Sequence, residues 1–140
     1  MVGPGTVLKT RWRLTRKVGQ GAFGEIYSGV DVTNDEPVAV KLERWDNKKA
    51  VLKMEVAVLK KLQHCQYACR YVHCGHFEDH NYLVMELLGE NLSELRRRCP
   101  GGRFSLATTV RCVCLSKSLS VLAKSCHRTH FKCSMFHFPK

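Results

Sequence analysis

Val18-Gly19-Gln20-Gly21-Ala22-Phe23-Gly24-Glu25-Ile26 is the stretch on which the fold turns. It spells G-x-G-x-x-G between apolar flanks. Glycine has no Cβ, so its backbone can come close to an anion's oxygens. The amides of such a loop then donate hydrogen bonds to the anion. The pattern alone has two readings. In a dinucleotide-binding βαβ unit, a helix opens directly after the third glycine. Here Glu25, Tyr27 and Gly29 interleave with Ile26, Ser28 and Val30, which is a strand. The glycines therefore cap a hairpin between two strands.

The flanking sequence extends this reading. Residues 12–43 give three strands: Trp12, Leu14 and Val18 before the glycines, Ile26 to Val30 after them, and Val38 to Glu43 beyond the turn-rich Asp31–Pro37. Val38, Val40 and Leu42 alternate with Ala39, Lys41 and Glu43, the period of a strand. Lys41 closes Val38-Ala39-Val40-Lys41, 17 residues after Gly24. Over residues 48–62 the period changes. Val51, Met54, Val58 and Leu62 recur at three- and four-residue steps, predicting a helix with that face packed. Glu55 lies in this helix beside Val51, Val58 and Leu59, so it projects from the packed side. Residues 69–77 and 81–87 return to strand character, with His76–Asn81 between them as the turn. A short helix follows from Leu92 to Arg98, with Asn91 or Ser93 at its cap. Pro100-Gly101-Gly102 breaks it, and Ser105 caps a further helix running towards residue 125.

With these elements in this order, the chain resembles the N-lobe of a eukaryotic protein kinase. Leu52–Leu62 (LKMEVAVLKKL) and Phe104–Arg111 (FSLATTVR) are similar to the tau-tubulin kinases. Tyr82–Gly89 (YLVMELLG) followed by Asn91–Arg96 resembles the hinge of the casein kinase 1 group. The resemblance covers about residues 10–111 and implies an α+β fold. That fold is a five-stranded antiparallel sheet with one packed helix, followed by the start of an incomplete helical C-lobe. Residues 12–88 would be N-lobe and hinge, 89–111 the first C-lobe helices, and 112–140 an atypical basic tail rich in Cys and His.

The resemblance also implies roles. The family transfers the γ-phosphoryl of ATP to protein serine or threonine, using Mg²⁺. Gly19, Gln20, Gly21, Ala22, Phe23 and Gly24 would cover the phosphates. Val18, Ile26 and Ala39 would wall the adenine, with Met85 as gatekeeper behind it. The Glu86 carbonyl and Leu88 amide would bond the adenine edge. Lys41 would bind phosphate, anchored by an ion pair to Glu55. The expected partners are ATP and a protein substrate.

The remaining chemistry of the family has no counterpart here. A catalytic-loop Asp, a catalytic-loop Asn and a DFG Asp orient the nucleophile and hold Mg²⁺. This sequence has no Asp after Asp79 and no Asn after Asn91. His127-Arg128-Thr129 lacks the carboxylate of His-Arg-Asp. The expectation is an incomplete product, truncated or spliced before the catalytic loop and inactive by itself. The alternative is a non-catalytic kinase-like module that acts by binding partners.

Charge follows the same division. The chain has 140 residues and a formal net charge of +11. Residues 1–94 hold 13 Lys/Arg and all 12 Asp/Glu, whereas residues 95–140 hold 10 Lys/Arg and no acid. The basicity therefore says little about the kinase-like part. Nucleic-acid binding is disfavoured, because no recognition module and few aromatics accompany the charge. Cys126, His130, Cys133 and His137 are zinc-ligand types, but their spacing is not a common structural-zinc pattern, so no metal site is expected. No apolar run reaches the ~20 residues of a membrane span. Nor does the start of the chain have an apolar leader core. The expectation is a cytoplasmic protein, also compatible with the nucleus, whose eight cysteines stay reduced.

Overall fold

The alternating strand Val38–Glu43 is the centre of the architecture. In the computed structural model it is β4 (Pro37–Arg44), flanked by β3 (Gly24–Asp31) and β6 (His80–Glu86). The structure describes residues 2–21, 24–46, 51–65, 68–90 and 92–113. These fall into two compact units. One comprises residues up to Lys61 together with Arg70–Leu87, and the other comprises Leu62–Cys69 and residues from Leu88 onward.

The first unit is a six-stranded antiparallel sheet in the order β1-β2-β3-β4-β6-β5. Its members also include β2 (Trp12–Gly21) and β5 (Tyr71–Phe77). The five expected strands are all present. The sixth, β1 (Val7–Leu8), pairs with the start of β2. The β5–β6 turn is tighter than expected. Phe77 pairs with His80, so only Glu78 and Asp79 lie between the strands, Glu78 at φ +48°.

Strand parity assigns the two faces of the sheet. One face carries Trp12, Leu14, Tyr27, Val38, Val40, Leu42, Tyr82 and Val84, which form a single buried cluster with Leu8. Trp12 stacks on His73 with centroids 4.7 Å apart, and Tyr82 tilts against both rings. Tyr82 lies so close over Gly75 that a Cβ there would be 2.7 Å from the phenolic oxygen. The N-terminal segment covers the edge of this cluster through Leu8 and Val2. It is held by Arg11, whose Nε donates to both oxygens of buried Asp31 (3.0 and 2.8 Å). Asp31 also accepts bonds from the Thr33 amide and hydroxyl. Burial pushes the Asp31 pKa up, but the bonds from Thr33 and Arg11 outweigh it and hold the carboxyl below its ordinary range.

The other face carries Ala39, Lys41 and Glu43 on β4, opposite Met85, Leu83 and Asn81 on β6. Helix α1 (Val51–Lys61) packs on this side and meets β5 and β6. Its buried residues are Leu52, Val58 and Leu59. The expected Met54 is instead 39% exposed. Val58 and Leu62 of the expected stripe are buried, Leu52 and Leu59 join them, and Glu55 projects from the packed side as its spacing implied. Glu43 fixes the start of the helix. Its carboxylate accepts the amides of Val51 (3.2 Å) and Leu52 (3.0 Å), donors that the first turn of a helix cannot satisfy itself.

The second unit begins with a turn at residues 62–65, where the Cys65 amide donates to the Leu62 carbonyl (2.8 Å). It continues with α2 (Leu92–Arg98) and a 3₁₀ turn at Pro100–Gly102. Gly101 and Gly102 adopt φ +68° and +64° there, which stops the helix. Ser105 then caps a helical stretch over 106–113, its Oγ accepting the Thr108 amide at 3.2 Å. The continuation expected towards residue 125, and the Cys126/His130/Cys133/His137 set, lie outside the described residues. Among the described residues no helix is long and apolar enough to cross a membrane.

Candidate functional site

The face of the sheet that carries α1 gathers most of the described residues that sequence reasoning selected. β2 and β3 pair Gly19 with Ile26, and Gly21 with Gly24, across the glycine hairpin. β3 and β4 pair Ile26 with Lys41, and β4 and β6 pair Ala39 with Met85. Cross-strand partners project to the same side. Gly19, Ile26, Lys41, Ala39 and Met85 therefore belong to one face. Ala39 and Met85 are buried, Ile26 is half-buried, and Val18 is 44% exposed. Val18 occupies a bulge, since the register slips between Lys17 and Gly19.

The three described glycines of the motif differ in what the fold asks of them. A Cβ on Gly24 would lie 1.9 Å from the Leu42 carbonyl oxygen, so β3 and β4 admit no side chain there. A Cβ on Gly19 would meet nothing closer than Ile26 at 3.7 Å. The protein's own packing does not require glycine at position 19. Gly21 opposes Gly24 at the end of the ladder, while Ala22 and Phe23 lie outside the described residues.

Lys41 and Glu55 come together across strand and helix. Lys41 Nζ lies 2.5 Å from Glu55 Oε2, with side chains 19% and 21% exposed. Partial shielding from water strengthens such a pair relative to one on the open surface. The buried carboxylate of Glu43 starts α1, and Glu55 stands one helical turn into it, so Glu43 helps to set where Glu55 sits. The sequence pattern placed Glu43 on the Lys41 face but offered no sign of this bond.

Glu86 ends β6. Its amide donates to the Arg70 carbonyl (2.9 Å), and its carboxylate accepts the Arg70 amide (3.1 Å). Leu88 is the first residue after Leu87, where the second unit resumes.

A family model described as "Protein kinase domain" matches residues 12–126. This chain belongs to the protein kinase family. The match runs past Arg111, further than the resemblance read from the motifs. The chain is 58% identical over 107 residues to a Dictyostelium discoideum protein called "Probable serine/threonine-protein kinase", covering 76% of this chain and 22% of that protein. It is also similar to a crystal structure of a kinase domain, with 29% identity and a TM-score of 0.62, covering 70% of this chain and 30% of that one. The kinase-family chain thus spans under a third of the length of either. The architecture agrees with a kinase N-lobe and part of a C-lobe.

The kinase family's Mg²⁺ needs oxygen ligands beyond the hinge. No Asp follows Asp79 and no Asn follows Asn91, so these residues do not fit the metal. Among the described residues no cluster of metal-ligating side chains occurs.

Proposed function

We propose that the chain is the ATP-binding part of a serine/threonine protein kinase similar to the tau-tubulin and casein kinase 1 groups. The observation that carries this reading is the Lys41–Glu55 pair on the same face as Gly19, Ile26, Ala39 and Met85. A lysine held by a helix glutamate is pre-oriented to meet the α- and β-phosphates, as the family mechanism requires. Gly19 gives independent support. Its missing side chain is unexplained by packing but is explained by a ligand approaching the backbone. Ala39, small and opposite Met85, carries no bulk that would keep a flat ring from the strand in this reading.

In this proposal the chain's own residues bind and orient the nucleotide. The Gly19–Gly24 hairpin donates amides to phosphate, Lys41 neutralises phosphate charge, and the Glu86 carbonyl and Leu88 amide bond the adenine. No transfer step is assigned to these 140 residues, because they hold no carboxylate beyond Glu94. That observation favours a second reading, a kinase-like module that binds without transferring. Chemical-shift mapping with ATP tests the site. Perturbations are expected at Gly19, Ile26, Ala39, Lys41 and Met85, with Leu14 and Val40 on the opposite face unmoved. Perturbations confined to the opposite face would refute it.

A further inference from the structure

The side of the glycine hairpin turned away from Lys41 carries its own polar lattice. Glu25 and Tyr27 alternate with Ile26, so they face the aromatic cluster side, and Lys17 and Gln20 pair with Tyr27 and Glu25 across β2–β3. Lys17 Nζ donates to Glu25 Oε1 (2.5 Å) and to Gln20 Oε1 (3.0 Å). The Tyr27 hydroxyl donates to Glu25 Oε2 (2.7 Å). Both oxygens of one carboxylate are thereby engaged, one by each strand of the hairpin. Lys17, and after it Tyr27, hold the Glu25 carboxyl below its usual range, and the bond to Glu25 pushes the Tyr27 phenol up to about 12.

The location gives this lattice a purpose. It spans the bulge between Lys17 and Gly19, where the ladder between the strands slips. A bulge lets a hairpin twist and bend. The glycines beyond it supply no side chains to stiffen the tip. Tyr27 is 4% exposed and belongs to the buried cluster with Val40 and Leu42. The chain of bonds therefore runs from the rigid core, through Tyr27 and Glu25, to Lys17 and Gln20 on the opposing strand.

We propose that Lys17 and Glu25 are positioning residues, a bridge on the far side of the hairpin that fixes the height of its glycines above Lys41. The role rests on the nucleotide-site reading, while the bridge itself does not. Both side chains are more than a third exposed, so the pair adds little to global stability. Its effect is confined to the local opening of the hairpin.

The test uses the full 140-residue chain. Without nucleotide, Lys17→Met should speed amide exchange at Gly19, Gln20 and Glu25 by about threefold or more, leaving Val40 and Val84 unchanged. The charge-reversed pair Lys17→Glu with Glu25→Lys should restore protection. The nucleotide Kd should rise about threefold in Lys17→Met and recover in the reversed pair. Unchanged exchange in Lys17→Met, or no recovery in the reversed pair, overturns the bridge. Faster exchange with an unchanged Kd overturns the positioning role alone. A wild-type chain that binds no nucleotide overturns the site reading and the positioning role together, and the exchange measurement still decides the bridge.

Discussion

The carboxylate of Glu43 accepts the amides of both Val51 and Leu52, so the strand that carries Lys41 also anchors the helix that carries Glu55. Lys41 and Glu43 are two residues apart on one strand and share a face. The two partners of the ion pair are therefore referenced to the same short piece of β4.

Replacing Glu43 should loosen this arrangement. Glu43→Ala leaves helix N-terminal amides without their acceptor in a buried place, at a cost of about 1–3 kcal/mol. Denaturant unfolding would measure the loss, and amide exchange at Val51 and Leu52 would rise first. Equal exchange in mutant and wild type would show that the carboxylate does not hold the helix.

The motif glycines should separate by role. Gly24→Ala drives a Cβ into the Leu42 carbonyl and should cost more than about 2 kcal/mol. Gly19→Ala meets only Ile26, at an ordinary contact distance of 3.7 Å, and should change stability by less than about 1 kcal/mol. Nucleotide affinity, by contrast, should fall in Gly19→Ala. Urea midpoints and nucleotide titrations of the two variants read both effects.

Acid should destabilise the first unit in two windows. Burial, with Lys9, Arg11 and Lys60 nearby, lowers the His73 pKa from 6.5. The unfolded chain therefore takes up this proton first, and stability is lost as pH falls below about 6.5 towards the folded value. Asp31 is lowered from 3.8, so its contribution persists to lower pH and is lost as pH falls through its folded value. His73→Phe keeps a ring against Trp12 and should flatten the upper window only. Asp31→Asn should flatten the lower one. Melting temperature against pH for the three proteins tests the assignment.

The parts of this fold written locally were legible in the sequence. Val38–Glu43 alternates because one face meets the aromatic cluster and the other meets α1. The 14-residue step from Lys41 to Glu55 follows from one connection and one helical turn. What escaped depends on contacts between distant segments. β1 is only two residues long, too short to show a period, and is held by pairing with β2. The bulges in β2, between Leu14 and Arg16 and between Lys17 and Gly19, interrupt its alternation. The Glu43 cap on the Val51 and Leu52 amides and the Lys17–Glu25–Tyr27 lattice join groups that no periodic pattern links. In α1, the spacing offered Met54 and Val58 together. Packing buries Leu52, Val58 and Leu59 and leaves Met54 39% exposed, with Glu55 against Lys41.

Lys41, held by Glu55, is the phosphate contact of the proposed nucleotide site. Calorimetric titration of ATP into the wild-type chain and Lys41→Ala tests it most directly. Saturable binding at one site is expected in the wild type, with a loss of at least about tenfold in affinity in the variant. Equal affinity in the two proteins, with the variant folded, would contradict it.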